Sequence, residues 1–522
     1  MEKTDRTRNV SRNILWGIIN KVVTILLPFI TRTIMIYTMG MHYVGLGSLF
    51  TSVLQVLSFT ELGIGSALVF CMYRPVAEGD DEKVCALLNF YKHAYRLIGI
   101  IIMVVGLAIT PFLDYLIAGD IPKGINLKVL FLVYIFNNVI GYFLFTYKQA
   151  VFQATQRVDV ISRIGMTIQV TLSVCQALAL LVLRNYYVYV LVIPIFTMVN
   201  NFALGILADK QFPQYKARGV IDSSEVRVIK KKVGGMVFQK IGNIILQSVD
   251  TLIISAFLGL AILGIYNGYF FVITALAGFF GVIQQALIPS IGNSVVVEPV
   301  EKNLSDFKIF HFLYMWIVIW SCSCLLCLFQ PFMKMWQGAE NMLTDKLVVL
   351  FVLYFFTYRM GDVNWIYREA LGYWWEARFI PLISSLLNLI LNIFLVNKIG
   401  LSGILISTIV SLTLVNLPWS SKVMFSKYFS SRKEYFLYLI RTLFYFVIMC
   451  IVAIVTYFAC TLVKSNGLLE LLIKGLICCI LPNILLFLFN IKNKDMKRGF
   501  GFVVSRLPKK YVPPFVIRCF GD

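Results

Sequence analysis

Apolar stretches of 20 or more residues recur from one end of the chain to the other, separated by short polar breaks. A helix needs about 20 apolar residues to cross the roughly 30 Å hydrocarbon core of a bilayer, so each stretch reads as a membrane-spanning helix. Counting at that length predicts about fourteen spans. They fall near 14–38, 44–71, 96–118, 127–150, 160–183, 186–208, 237–258, 263–294, 309–332, 346–367, 377–396, 401–420, 438–462 and 468–490. The longest break inside this series, around 211–236, divides the pattern nearly in half. The expected fold is therefore an all-α integral membrane bundle. Its expected parts are a six-helix lobe over 1–210, a linker over 211–236, a second six-helix lobe over 237–425, and an extra helix pair with a basic tail over 426–522.

Composition agrees with that solvent. Hydrophobic residues make up 59% of the chain and charged residues 14%, against about a quarter charged in ordinary globular domains, and the mean hydropathy is +0.81. No segment outside the spans exceeds about 35 residues, too short for a separate catalytic domain of usual size. The net charge of +21 suggests nucleic acid until its distribution is considered. Most Lys and Arg fall in the segments on the N-terminal side of the membrane, which insertion keeps cytoplasmic. Both termini are thus expected inside, and the basic residues act as loop anchors and not as a nucleic-acid surface. The densest group, Lys230, Lys231 and Lys232 with Arg227, lies in the inter-lobe linker, with Lys240 just beyond it.

Each half begins alike. Gly40 to Gly45 follows a polar-studded helix and precedes a very long apolar one, and Gly259 to Gly264 does the same. Glycine is frequent in membrane helices, so the weight rests on the shared position of the two G-x4-G segments. Repeats related by an axis along the membrane normal place their site at the interface of the halves.

Two stretches, MYRPVAEGDDEKVCALLNFYKHAYRLIG from Met72 to Gly99 and VDTLIISAFLGLAILGIYNGY from Val249 to Tyr269, resemble the polysaccharide flippases of bacterial capsule, exopolysaccharide and O-antigen clusters. These belong to the multidrug/oligosaccharidyl-lipid/polysaccharide exporter superfamily. The resemblance implies a V-shaped pair of lobes around a cavity that opens alternately inward and outward. It also implies a cargo, an oligosaccharide on undecaprenyl diphosphate, moved from the inner to the outer leaflet of the cytoplasmic membrane, with a polysaccharide polymerase and other assembly proteins as partners beside the bilayer itself.

Ionisable residues at membrane depth are the candidate chemistry. Arg32 sits inside the run LPFITRTIMIY. A guanidinium there either faces a water-filled cavity or snorkels to the outer interface, about 9 Å away along the helix. In a cavity its planar fork matches diphosphate oxygens. Lys21 and Arg359 are further candidate cargo contacts, although Lys21 also suits an inner-interface anchor. Arg359 and Asp362 are three residues apart and can neutralise each other. Glu61 and Asp250 suit either ion coupling or pairing with a cation. Among amides, Gln284, Gln285 and Asn388 are candidate sugar contacts, and Asn388 with Asn392, one turn apart, equally suits interhelical bonding.

Other signals exclude functions. Cys322, Cys324 and Cys327 lie in an apolar span without a nearby His or carboxylate, so no metal site is expected from that run. Three scattered histidines, no G-x4-G-K-[ST] motif and no large outer loop leave no catalytic residues to name, and no cofactor is expected. The rival readings are a multidrug or cation antiporter of the same fold, which calls for carboxylates where Arg32 and Lys21 stand, and a membrane polysaccharide polymerase or ligase.

Overall fold

The computed structural model describes residues 3–58, 64–222, 226, 241–242, 244–246 and 248–504, and all regular elements among them are helices. Among the described residues, eleven helices are long and apolar enough to cross a membrane. The number rises to twelve if the pair Leu127–Phe143 and Thr146–Ala154, bent by 49°, forms one span. Met41–Leu57 and Ile244–Leu258 are shorter apolar helices. Burial is uneven among them: 11% of the apolar stretch of Leu260–Val297 and 17% of that of Gly467–Asn490 is buried, against 61% for Val300–Gln337. A helix apolar on its outward face needs lipid as solvent. The chain is a multi-pass membrane protein.

Contacts divide the chain into two compact units, Met1–Asn267 and Gly268–Asp522. In the first, α1 (Lys3–Thr38) packs along α7 (Val158–Leu181), which in turn packs on α8 (Tyr186–Gln211). Between them in sequence come α2 (Met41–Leu57), α3 (Ile64–Glu78), α4 (Asp81–Ile109), α5 (Leu127–Phe143) and the short α6 (Gln149–Ala154). The Asp80 carboxylate caps α4 by accepting from the Lys83 N–H at 3.0 Å, and Asp81 and Glu82 fill the first turn, where the helix dipole favours acids. The first turns of α4 do not stand free. The Asn89 amide donates to the Gly219 carbonyl at 2.8 Å, so this helix holds the segment that follows α8.

Helix α9 (Leu260–Val297) opens in the first unit and continues into the second. The second unit then contains α10 (Val300–Gln337), α11 (Asp345–Arg359), α12 (Asp362–Leu371), α13 (Ile380–Ile399), α14 (Leu401–Ser411), α15 (Leu417–Lys427), α16 (Arg432–Thr461), α17 (Gly467–Asn490) and α18 (Lys494–Val504). Helix α10 is its centre, packed by α11, α16, α17 and α18.

The element order repeats at a constant interval. Gly40 and Gly259 both have positive φ, +92° and +88°, and each donates its N–H to carbonyls five and four residues earlier, Met35 and Ile36 in one case and Ile254 and Ser255 in the other. Gly119 and Gly338 also have positive φ. Both pairs are 219 positions apart (259 − 40 and 338 − 119). The same interval carries the start of α2 onto that of α9 and the start of α4 onto that of α10 (260 − 41 and 300 − 81), and it carries α5 and α7 onto α11 and α13 to within a few residues. Positive φ costs an L side chain strain that glycine avoids, which is why these turns are glycines in both copies.

The two G-x4-G segments also touch. A Cβ on Gly45 would lie 2.0 Å from the Leu260 carbonyl oxygen, and one on Gly264 would lie 2.2 Å from that of Met41. Leu260 follows Gly259 as Met41 follows Gly40, so each motif offers its first carbonyl to the other's second glycine. Small residues let membrane helices approach to backbone contact. Gly45→Ala and Gly264→Ala are each expected to lower thermal stability in detergent by about 1–3 kcal/mol through overpacking. Gly141→Ala, with nothing within 4 Å of its Cβ, is expected to behave as wild type in the same melt. Equal melting of all four proteins would show that the contact carries no stability.

Candidate functional site

Arg32 lies near the end of α1, where Pro28 interrupts the backbone ladder one turn earlier. Its Nη1 donates to the Asn267 carbonyl of α9 at 2.7 Å. The glycine contact produces this bond, because Asn267 lies one turn beyond Gly264 on the helix that Gly264 brings against Met41. One tyrosine from another helix acts on the guanidinium, and others continue from it. Tyr189 of α8 interacts with Arg32 electrostatically and stacks on Tyr186, with ring centroids 5.6 Å apart. Tyr186 packs on Tyr43 of α2 at 5.0 Å and donates its hydroxyl to the Tyr43 carbonyl at 3.3 Å. Gly47 leaves room for the hydroxyls of Tyr186 and of Tyr134 on α5, since a Cβ there would come within 3.1 Å of the first and 3.4 Å of the second. The first unit thus sets a cation near Tyr189, the first of a run of tyrosines whose hydroxyls can donate and accept.

Lys21 is exposed on the same helix. Eleven residues is three turns, so Lys21 and Arg32 lie along one face, about 16 Å apart. Asp250 is buried in the helix Ile244–Leu258 among buried Ser248 and Thr251. Glu61, Gly234, Gly235 and the lysine cluster Lys230–Lys232 lie outside the described residues.

The second unit has its own polar site at the break between α11 and α12. Arg359 ends one helix and Asp362 opens the next, and both are buried. Their ion pair, Nη1 to Oδ2 at 2.8 Å, joins residues three apart across a two-residue irregularity at Met360 and Gly361 within one span-length stretch, Asp345–Leu371. The Tyr314 hydroxyl of α10 donates to the same carboxylate oxygen. Gln284 of α9 donates to that hydroxyl at 3.3 Å, whereas Gln285, next to it, is exposed. The guanidinium lies over the Tyr358 ring at 4.6 Å and the Phe280 ring at 5.6 Å, contacts in which ring faces attract a cation. The fold therefore joins Arg359, Asp362 and Gln284 in one network.

Asn388 is placed differently. Wholly buried, it donates to Thr408 Oγ1 at 2.9 Å and accepts from Asn392 at 3.2 Å, knitting α13 to α14. Sequence reasoning passed over three features. Tyr189 and the tyrosines that continue from it were hidden among the 26 in the chain. Arg368, buried on α12, donates to Ser420 at 2.8 Å beside Asn364, which donates to the same hydroxyl at 2.9 Å. Asp159, fully buried, pairs with Arg157 at 3.1 Å and Arg163 at 2.5 Å. A carboxylate one residue before an expected span was the available signal for the last.

Residues 10–295 match the family described as polysaccharide biosynthesis protein. The chain belongs to this family. The matched region holds α1 to α8 and nearly all of α9, including the Arg32 site and both G-x4-G segments. No curated protein matches this family member significantly by sequence. Solved structures match by fold. Lipid II flippase MurJ, in an inward-closed conformation, superimposes with a TM-score of 0.67 at 15% identity, over 92% of this chain and 99% of that one. A multidrug resistance MATE family transporter of the MOP superfamily, facing inward, gives 0.53 at 14% identity over 78% and 96%. The Vibrio cholerae MATE transporter VcmN gives 0.53 at 13% over 83% and 100%. The family member shares its fold with these membrane transporters.

The network at the α11–α12 break predicts an asymmetric response to mutation. Removing one partner of a buried pair strands the other charge, at a cost of about 3–5 kcal/mol, while replacing both with apolar residues is often near neutral. Asp362→Ala is expected to lower stability by that amount, and Arg359→Leu with Asp362→Leu to recover most of it, as read by thermal unfolding in detergent. A double variant as unstable as the single one would count against the stranded-charge account.

Proposed function

We propose that this chain is a flippase for a lipid-linked oligosaccharide. The cargo is a sugar repeat unit on undecaprenyl diphosphate, moved from the inner to the outer leaflet of the bacterial cytoplasmic membrane for capsule, exopolysaccharide or O-antigen assembly. The observation that carries the reading is Arg32, a guanidinium at membrane depth near Tyr189, from which Tyr186 and Tyr43 continue by ring contact, in a chain of this family. A diphosphate wants a fixed cation with forked donors, and sugar hydroxyls want partners that both donate and accept. Lys21, on the same face of α1, offers a second cation nearer the N-terminal end, and exposed Gln285 a soft polar contact.

The architecture proposed is fourteen spans with both termini cytoplasmic: two six-helix lobes over 1–210 and 237–425, joined by 211–236 and followed by the extra pair over 426–522. The lobes rock about the linker at Gly234 and Gly235, and the lipid tail stays in the bilayer throughout. Export of a diphosphate from a negative-inside cell gains about 2.3 kcal/mol per net charge per 100 mV, so membrane potential drives the transfer without nucleotide hydrolysis. Asp250 and Glu61 are the candidates for any added ion coupling. A polysaccharide polymerase consumes the cargo outside. Arg32 and Lys21 disfavour the multidrug-cation reading, because a cationic drug would meet like charge there.

The experiment is polysaccharide export in a bacterial strain that depends on this chain, with membrane abundance equalised by blotting. Arg32→Ala is expected to cut export at least about tenfold, the loss of one or two charge-assisted bonds, with lipid-linked repeat units accumulating inside. Arg32→Lys, which keeps the charge but not the fork, is expected to fall between. Full export by Arg32→Ala at normal abundance would remove the diphosphate site from Arg32.

A further inference from the structure

The run Cys322-Ser-Cys324-Leu-Leu-Cys327 holds too few ligands to bind a metal alone, but the fold adds to it. Cys327 of α10, Cys460 of α16 and Cys478 of α17 are all buried, and their three sulfurs lie within 4.8 Å of one another. Cys324, one turn before Cys327, interacts with the Cys478 thiol and donates to the Cys478 carbonyl at 3.9 Å. Cys322 is not part of this group, since it faces the Val352 carbonyl of α11. Three thiols therefore converge with Cys324 packed beside them, and Leu328 and Ile477 pack against the group.

The spacing suits a soft cation. Metal–sulfur bonds of about 2.3 Å set sulfurs roughly 3.8–4.0 Å apart in tetrahedral or trigonal geometry, so ligation needs less than about 1 Å of contraction. The site is closed by helices that pack on one another, α10 on α16 and α17 and α16 on α17.

We propose that Cys327, Cys460 and Cys478, with Cys324 as fourth thiol, form a thiolate site for a soft, closed-shell cation, Zn(II) when all four ligate and Cu(I) when three do. Thiolate ligands and an apolar wall select such ions over Mg(II) or Ca(II). Each thiol that ligates gives its proton to solvent, so binding releases protons and strengthens with pH. Occupied, the site clamps α16 and α17 to α10 and stabilises the second unit. It is independent of the cargo reading above.

The test uses the full chain, purified in detergent under reducing conditions. Co(II), as an optical reporter for Zn(II), is followed through sulfur-to-cobalt charge transfer, and Cu(I) through competition with bicinchoninate. The expected result is one equivalent of either ion per chain, a rise in melting temperature on binding, and affinity weakened at least about tenfold in Cys327→Ala and Cys478→Ala. Cys71→Ala, outside the cluster, is expected to bind as wild type. Wild-type protein that takes up neither ion overturns the site whatever the variants do. Uptake that the cluster variants leave unchanged overturns it too.

Discussion

The approach of two glycines, Gly45 on α2 and Gly264 on α9, is the contact on which the first unit's polar site depends. With no Cβ on either, the two helix starts meet at the backbone, each supplying a carbonyl to the other's glycine. In a bilayer no hydrophobic force draws helices together, so close van der Waals packing carries the association. That packing fixes where the next turn of α9 falls, and the Asn267 carbonyl arrives within hydrogen-bond distance of Arg32. A wider contact between these helices would leave the guanidinium to find its partner elsewhere.

The second unit is organised by satisfied polar groups. Asn388, Asn392 and Thr408 tie α13 to α14, Arg368 and Asn364 share Ser420, and Arg359 pairs with Asp362. Each bond is made inside the protein because lipid supplies no replacement.

The helical membrane architecture was legible in the chain because the solvent imposes it: long apolar runs admit few other structures. The special role of the two G-x4-G segments was legible from their matching positions, and Arg32 stood out because an arginine in such a run needs a reason. What was hidden depends on contacts between distant segments. Tyr189 reaches Arg32's neighbourhood from a helix with no local mark of a site. Cys460 and Cys478 come from two later helices, so the Cys324–Cys327 spacing alone shows half of a cluster. Arg359 and Asp362 were visible as a pair, and their three-residue spacing is the one at which they meet.

The 219-residue interval has an evolutionary reading. Two halves that stay in step over so many elements descend most simply from one duplicated ancestor in which neither copy has since gained or lost net length. In that register Arg32 corresponds to Thr251, Arg359 to Ile140 and Asp362 to Phe143. The charges thus have no twins. Symmetry was kept where helices must fit and abandoned where chemistry happens, so the halves have become specialists on a common frame, and the mismatched positions mark where each took up its own task.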